Sequence, residues 1–352
     1  MRKHLFHLIL ICFSVSSAYS QWIKQDVKTN ASLRGLAVVN EKVVWASGTG
    51  GTVIRTIDGG KTWNVVVVPG AEKLDFRDIE AFDANTAYIL SIGNGESSRI
   101  YKTTDGGTNW NLQFKNANPK AFFDAIACRT ESNCFAMSDP VDGRFLLIAT
   151  SDGKNWEPTN TSWALPPTMP GEAAFAASGT CLVSHPGGRR LYLVSGGSAA
   201  RLFLGRFGIE GGIKWTISST PIVKGSQGAG IFSIALYRNK GVVVGGNYEK
   251  PDDITDNLAF TDDDGMSWRL GSGLTGYRSG VAYIDEKTII AVGTNGTDIS
   301  RDGGKSWKKV GDENLNAVAA KGNGSTWAVG PKGLVARYNF VNFTNLIKIN
   351  PM

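Results

Sequence analysis

Thr56-Ile-Asp-Gly-Gly-Lys-Thr-Trp63 decides the fold, because the phrase returns as Thr103-Thr-Asp-Gly-Gly-Thr-Asn-Trp110, Thr150-Ser-Asp-Gly-Lys-Asn-Trp156, Thr261-Asp-Asp-Asp-Gly-Met-Ser-Trp268 and Ser300-Arg-Asp-Gly-Gly-Lys-Ser-Trp307. A worn copy ends at Gly211-Gly-Ile-Lys-Trp215. As local chemistry the phrase is a hairpin turn. Its Asp accepts backbone N–H bonds across the turn, Gly takes the positive φ, and the Trp is expected to cap the sheet edge. Asp58, Asp105, Asp152, Asp263 and Asp302 are therefore read as structural.

Three short strands with Gly-rich turns precede each phrase, as in Leu36-Ala-Val-Val, Val43-Val-Trp-Ala-Ser-Gly and Thr52-Val-Ile-Arg-Thr, and the box Trp opens a fourth. Four antiparallel strands in about 40 to 55 residues make a propeller blade. The box tryptophans count six blades. A seventh set, Ala317-Val-Ala-Ala, Thr326-Trp-Ala-Val-Gly and Leu334-Val-Ala-Arg-Tyr-Asn, lacks its fourth strand. Gln21-Trp22-Ile-Lys-Gln lies one blade period before Trp63. The N-terminal strand, residues 21–26, is thus expected to complete the last blade and close the ring, removing exposed sheet edges. The sequence predicts an all-β fold: a seven-bladed β-propeller filling residues 21–352 as a single domain.

Met1 to Ser20 has the order of a secretory signal: Arg2 and Lys3, an apolar run from Leu5 to Val15, then small residues. Cleavage after Ser20 would give a secreted, periplasmic or extracellular product, and no later run is long enough to span a bilayer as a helix. Losing Arg2 and Lys3 lowers the formal charge from +6 to +4, and no Lys/Arg run suggests nucleic acid. Of three His, only His185 lies beyond residue 20. That excludes a multi-histidine metal centre, and neither metal nor cofactor is expected. Cys128 and Cys134 flank five residues between apolar segments, as a disulfide across a short hairpin would in an exported protein. Cys181 reads as a small buried hydrophobe.

The T-x-D-G-G-x-T-W phrase is the Asp-box of the bacterial neuraminidase repeat. With the turns Ala291-Val-Gly-Thr-Asn-Gly296 and Ala328-Val-Gly-Pro-Lys-Gly333, the sequence resembles the photosystem II stability/assembly factor family of Asp-box propellers. Phrases such as Gly171-Glu-Ala-Ala-Phe-Ala-Ala-Ser-Gly179 and Gly230-Ile-Phe-Ser-Ile234 are similar to its secreted, non-photosynthetic branch. The resemblance implies a chaperone-like propeller that binds a protein partner, with an arginine patch across one face.

A site is expected where the innermost strands converge around the channel. Aligning first strands gives a column of Arg34, Arg77, Phe123, Glu172, Phe232, Arg278 and Leu315. The next column is Gly35, Asp78, Asp124, Ala173, Ser233, Ser279 and Asn316. Guanidiniums about 6 Å apart repel by roughly 3 kcal/mol at an effective dielectric of 20, so they need compensation. Two arrangements supply it: an Arg–carboxylate ring, or an anionic carboxylate or phosphate ligand. Long loops at Ser138–Gly143, Glu157–Pro170, Ser218–Ala229 and Asn247–Asn257 crowd blades 3 to 5 and predict a lopsided groove.

Two readings follow. A monomeric propeller binds a protein or glycan partner through Arg34, Arg77, Arg278, Tyr248 and Tyr277. The alternative is a glycoside hydrolase of sialidase-like design. It would use those three arginines, Tyr277 with Glu172, and Asp124 or Asp139 as acid, or simply two carboxylates at about 5 to 9 Å. Sialidases of this type have six blades. A redox enzyme finds no dinucleotide-binding motif.

Overall fold

The computed structural model of the chain describes residues 21–160, 163–185, 188–208, 212–322 and 324–340. They form seven four-stranded antiparallel blades in a ring. Blade 1 shows the pattern: Leu33–Val38, Val44–Gly48, Thr52–Thr56 and Asn64–Val67 pair in sequence order. Its second strand is buried throughout, whereas its fourth, on the rim, has no buried residue. Blades 2, 3 and 6 begin at Phe76, Phe123 and Gly280 and repeat this order.

Ring closure comes from the N-terminus. Trp22–Lys24 pairs antiparallel with Val335–Tyr338 as the outermost strand of blade 7, Trp22 facing Tyr338. The strand is three residues long, inside the expected 21–26. Trp22 is buried, meets the Tyr338 ring edge-on at 5.0 Å, and donates its indole N–H to Thr297 Oγ1 of blade 6 at 2.9 Å. It therefore ties two blades as well as completing one. The proposed signal segment, Met1 to Ser20, lies outside the described residues, as does part of the worn copy at 209–211.

The recurring turns connect third and fourth strands. In the first, Asp58 accepts the Thr62 N–H at 2.9 Å, the Thr62 hydroxyl at 2.6 Å and the Thr56 hydroxyl at 2.8 Å. These bonds, the Thr62 hydroxyl foremost, hold its carboxyl down at about 2. The box tryptophans do more than cap an edge. Trp63, Trp110 and Trp156 each stand edge-on to an aromatic on the second strand of the preceding blade: Trp327, Trp45 and Tyr88, at 5.7, 6.3 and 5.9 Å. These three boxes thus also glue their blades to their neighbours.

Blade 4 departs from the pattern. Its innermost strand is Leu182–Ser184, followed by Arg190–Val194, Arg201–Phe207 and Ile213–Ser219. Glu172–Ala173 instead pairs with Gly196–Gly197, and this two-residue ribbon joins the inner strand of blade 5, Ala229–Tyr237. In blade 3, Asn133–Val141 runs through most of the expected loop at 138–143, leaving Asp142 and Gly143 as the turn. Cys128 and Cys134 sit opposite each other in that blade's first hairpin and are disulfide-bonded.

Candidate functional site: the channel mouth

The innermost strands of blades 1, 2, 3 and 5 share a one-residue bulge. Pairing skips between Leu33 and Gly35, Phe76 and Asp78, Phe123 and Ala125, and Ile231 and Ser233. A bulge re-aims the extra side chain away from the pleat. The bulged residues are Arg34, Arg77, Asp124 and Phe232. Gly35 lets the first bulge pack against blade 2: a Cβ there would stand 2.3 Å from Ser47 Oγ and 2.9 Å from the Asp78 backbone.

Arg34, Arg77 and Phe232 line a cavity of about 370 Å³ at the mouth of the channel, with Phe175, Tyr248 and Tyr277. Arg34 Nη1 donates to the Ala177 carbonyl and Arg77 Nη1 to the Ala176 carbonyl, each at 3.2 Å. Arg77 Nε also pairs with Asp75 Oδ2 at 2.7 Å. Burial, and then the Arg77 charge, pulls the Arg34 guanidinium below its ordinary pKa. Phe175 and Phe232 stack at 3.9 Å with their planes 7° apart, and Tyr277 meets Phe232 edge-on at 4.7 Å. Tyr248 is 50 % exposed and stands edge-on to the same ring. Two guanidiniums with one carboxylate in contact, beside an aromatic platform, suit an anionic ligand carrying an apolar or aromatic portion.

Arg278 is not at this mouth. It is fully buried. Its Nε donates to Asp298 Oδ2 at 2.7 Å and its Nη2 pairs with the same carboxylate; Nη1 reaches Asn295 Oδ1 at 2.6 Å and the Tyr277 carbonyl at 2.7 Å. The alignment of first strands is one residue out in blades 6 and 7, where Ser279 and Asn316 line the cavity instead of Arg278 and Leu315. In blade 3 the bulge falls on Asp124 rather than Phe123.

The carboxylate candidates are also placed differently. Glu172, on the ribbon rather than on a blade's first strand, is ion-paired to Arg201 and accepts the Ser195 hydroxyl at 2.6 Å and the Met169 N–H at 2.8 Å. Asp124 is 1 % exposed, and burial foremost raises its pKa well above the ordinary range. Asp139 accepts the Ala174 N–H at 2.8 Å, and burial pushes it up to about 6. Tyr277, buried, is raised as well. The three-arginine, Tyr–Glu set of a sialidase-like site is thus not assembled: one arginine is locked in blade 6, and the glutamate is spent on Arg201. Among the described residues, no group of three or more His, Cys, Asp or Glu is arranged to hold a metal ion, and no helix is long and apolar enough to cross a membrane.

Sequence reasoning missed Phe175, the carbonyls of Ala176 and Ala177, and Asp75. The first three lie in the Gly171–Gly179 phrase, whose small residues flank a lone aromatic. Asp75 stands two residues before Arg77, the spacing that puts two side chains on one side of an extended chain.

Fold and mouth together define a closed seven-bladed propeller with a basic, aromatic central depression. Residues 13–119 match the family model described as Photosynthesis system II assembly factor YCF48. A solved structure titled YCF48 bound to D1 peptide superposes with a TM-score of 0.64 at 18 % identity, covering 91 % of this chain and 96 % of that one. YCF48 from Cyanidioschyzon merolae gives 0.58 at 17 %, with 90 % and 98 % covered. The WD40 β-propeller domain of Doa1 gives 0.59 at 13 %, with 91 % and 96 % covered. At these identities the structures speak for the fold. No curated protein matches the sequence.

Proposed function

We propose that the protein is a secreted propeller that binds a protein partner at the channel mouth, gripping an anionic segment with Arg34 and Arg77 and an adjoining apolar or aromatic side chain with Phe175, Phe232 and Tyr248. The observation that carries this reading is the pairing of two incompletely neutralised guanidiniums with a stacked aromatic platform in one open cavity. The likeness to a YCF48 structure titled as a D1-peptide complex supports a peptide rather than a glycan as the partner. The signal-like N-terminus and the Cys128–Cys134 disulfide support export.

Isothermal titration of the full chain against capped peptides carrying paired acidic and aromatic residues, and against carboxylated oligosaccharides, tests the proposal. Binding of the acidic-aromatic peptides, weakened by salt, is the expected result. Selective binding of the oligosaccharides would turn the reading to a glycan, and hydrolysis of them would replace it.

A further inference from the structure

The same face carries a second cavity, of about 750 Å³, over blade 3 and the Glu172–Ala173 ribbon. Phe122, Pro140, Met169 and Pro170 supply its apolar wall, with Met169 53 % exposed. Its ionic side chains are unevenly matched. Lys120 pairs with Asp142 at 3.0 Å, and Glu172 is neutralised by Arg201. Asp139 has the Ala174 N–H on one oxygen and no cation within ion-pair distance among the described residues. Asp124, on the strand paired with that of Asp139, is buried with its Oδ2 unpartnered, and the two carboxylates repel. The cation that bears on Asp124 is Arg77, already committed to Asp75. The groove therefore presents one carboxylate without an ion-pair partner, Asp139, with the buried Asp124 carboxyl behind it, beside an apolar trough.

We infer that this groove binds a peptide segment through a lysine or arginine side chain, its cationic end on Asp139 with Asp124 behind, its stem along Phe122, Met169 and the two prolines. Long basic side chains bury their methylenes against such walls while the charged head finds a carboxylate. An amino sugar would ask for a flat aromatic platform, and Phe122 is the one aromatic ring in the lining. The site is distinct from the arginine mouth and opposite to it in charge, so one partner can be oriented by two poles on a single face.

The cation must compete with protons on these carboxylates, so affinity rises with pH through the region of about 6 where Asp139 titrates. The groups facing the pair are Arg77 and Asp78 from blade 2, the buried Cys181 thiol, and the Glu172–Arg201 and Lys120–Asp142 pairs.

The test is titration of the full chain with the capped peptide Pro-Ala-Lys-Ala-Pro, its norleucine counterpart and a chitosan disaccharide, at pH 5 and pH 7.5. The lysine peptide should bind at least tenfold more tightly than the norleucine peptide at pH 7.5, with the preference shrinking at pH 5. Asp139→Asn should erase the preference. Met169→Lys, at a position 53 % exposed, should erase it as well by placing a cation in the trough. Equal affinity for the two peptides, a preference that survives both substitutions, or binding of the disaccharide in place of the peptide would overturn the inference.

Discussion

The corner where blades 5 and 6 meet and the mouth above blades 1 and 2 use the same residue type for opposite purposes. At the corner, Arg278 is fully buried, and its three nitrogens are taken by Asp298, Asn295, Thr275 and the Tyr277 carbonyl. The next strand residue to Asp298, Thr297, receives the Trp22 indole, so ion pair and ring closure share one strand. At the mouth, Arg34 and Arg77 touch backbone carbonyls and one carboxylate and leave donors facing a cavity. An arginine whose donors are all met inside the protein holds the fold. One left with donors at an opening can hold a ligand. A shift of one residue along the inner strand separates the two.

The contrast breaks most visibly at the corner. Arg278→Ala strands a buried Asp298 carboxylate and should cost about 3–5 kcal/mol in urea unfolding; a loss below about 1 kcal/mol would mean that Arg278 is not a structural residue. Trp22→Ala should cost about 3 kcal/mol by emptying a closed position and freeing Thr297. If it leaves the unfolding midpoint unchanged, closure does not depend on that strand. Replacing both Cys128 and Cys134 by Ser should cost about 2 kcal/mol, given the short loop, with no effect on ligand binding at the mouth.

Blade 2 adds a pH test. Burial pushes Asp78 up to about 7; burial and then the Asp78 charge push Glu80 up to about 8. These carboxyls hold protons more tightly in the folded chain than in the unfolded one. Their contribution is full below about pH 4 and is lost as pH rises through 7 to 8. Thermal midpoints should fall between pH 5 and pH 8, and Glu80→Gln should flatten that slope. A midpoint that rises over this range would show that the buried pair is compensated.

Much of the fold was legible because a repeated turn is a local signal: eight residues fix the hairpin, and the spacing of the box tryptophans fixes the blade. Closure was legible because Trp22 lies one period before Trp63. The site was harder, since it depends on which inner-strand residue bulges. Arg34 and Arg77 sit on bulges and line the cavity, whereas Arg278 sits one residue before Ser279 and turns inward. Glu172 misled because the ribbon with Gly196–Gly197 imitates a first strand, while the true one, Leu182–Ser184, follows a turn with no box to mark it. Phe175 reaches the mouth through tertiary packing against Phe232, which no short-range pattern encodes.

The most direct measurement is to take Arg34→Ala and Arg77→Ala together and compare ligand affinity with thermal stability, using the acidic-aromatic peptide that binds wild type best. The double variant should lose at least tenfold in affinity, with stability within about 1 kcal/mol of wild type per residue changed. Unchanged affinity with a collapse in stability would show that these two arginines, like Arg278, serve the fold.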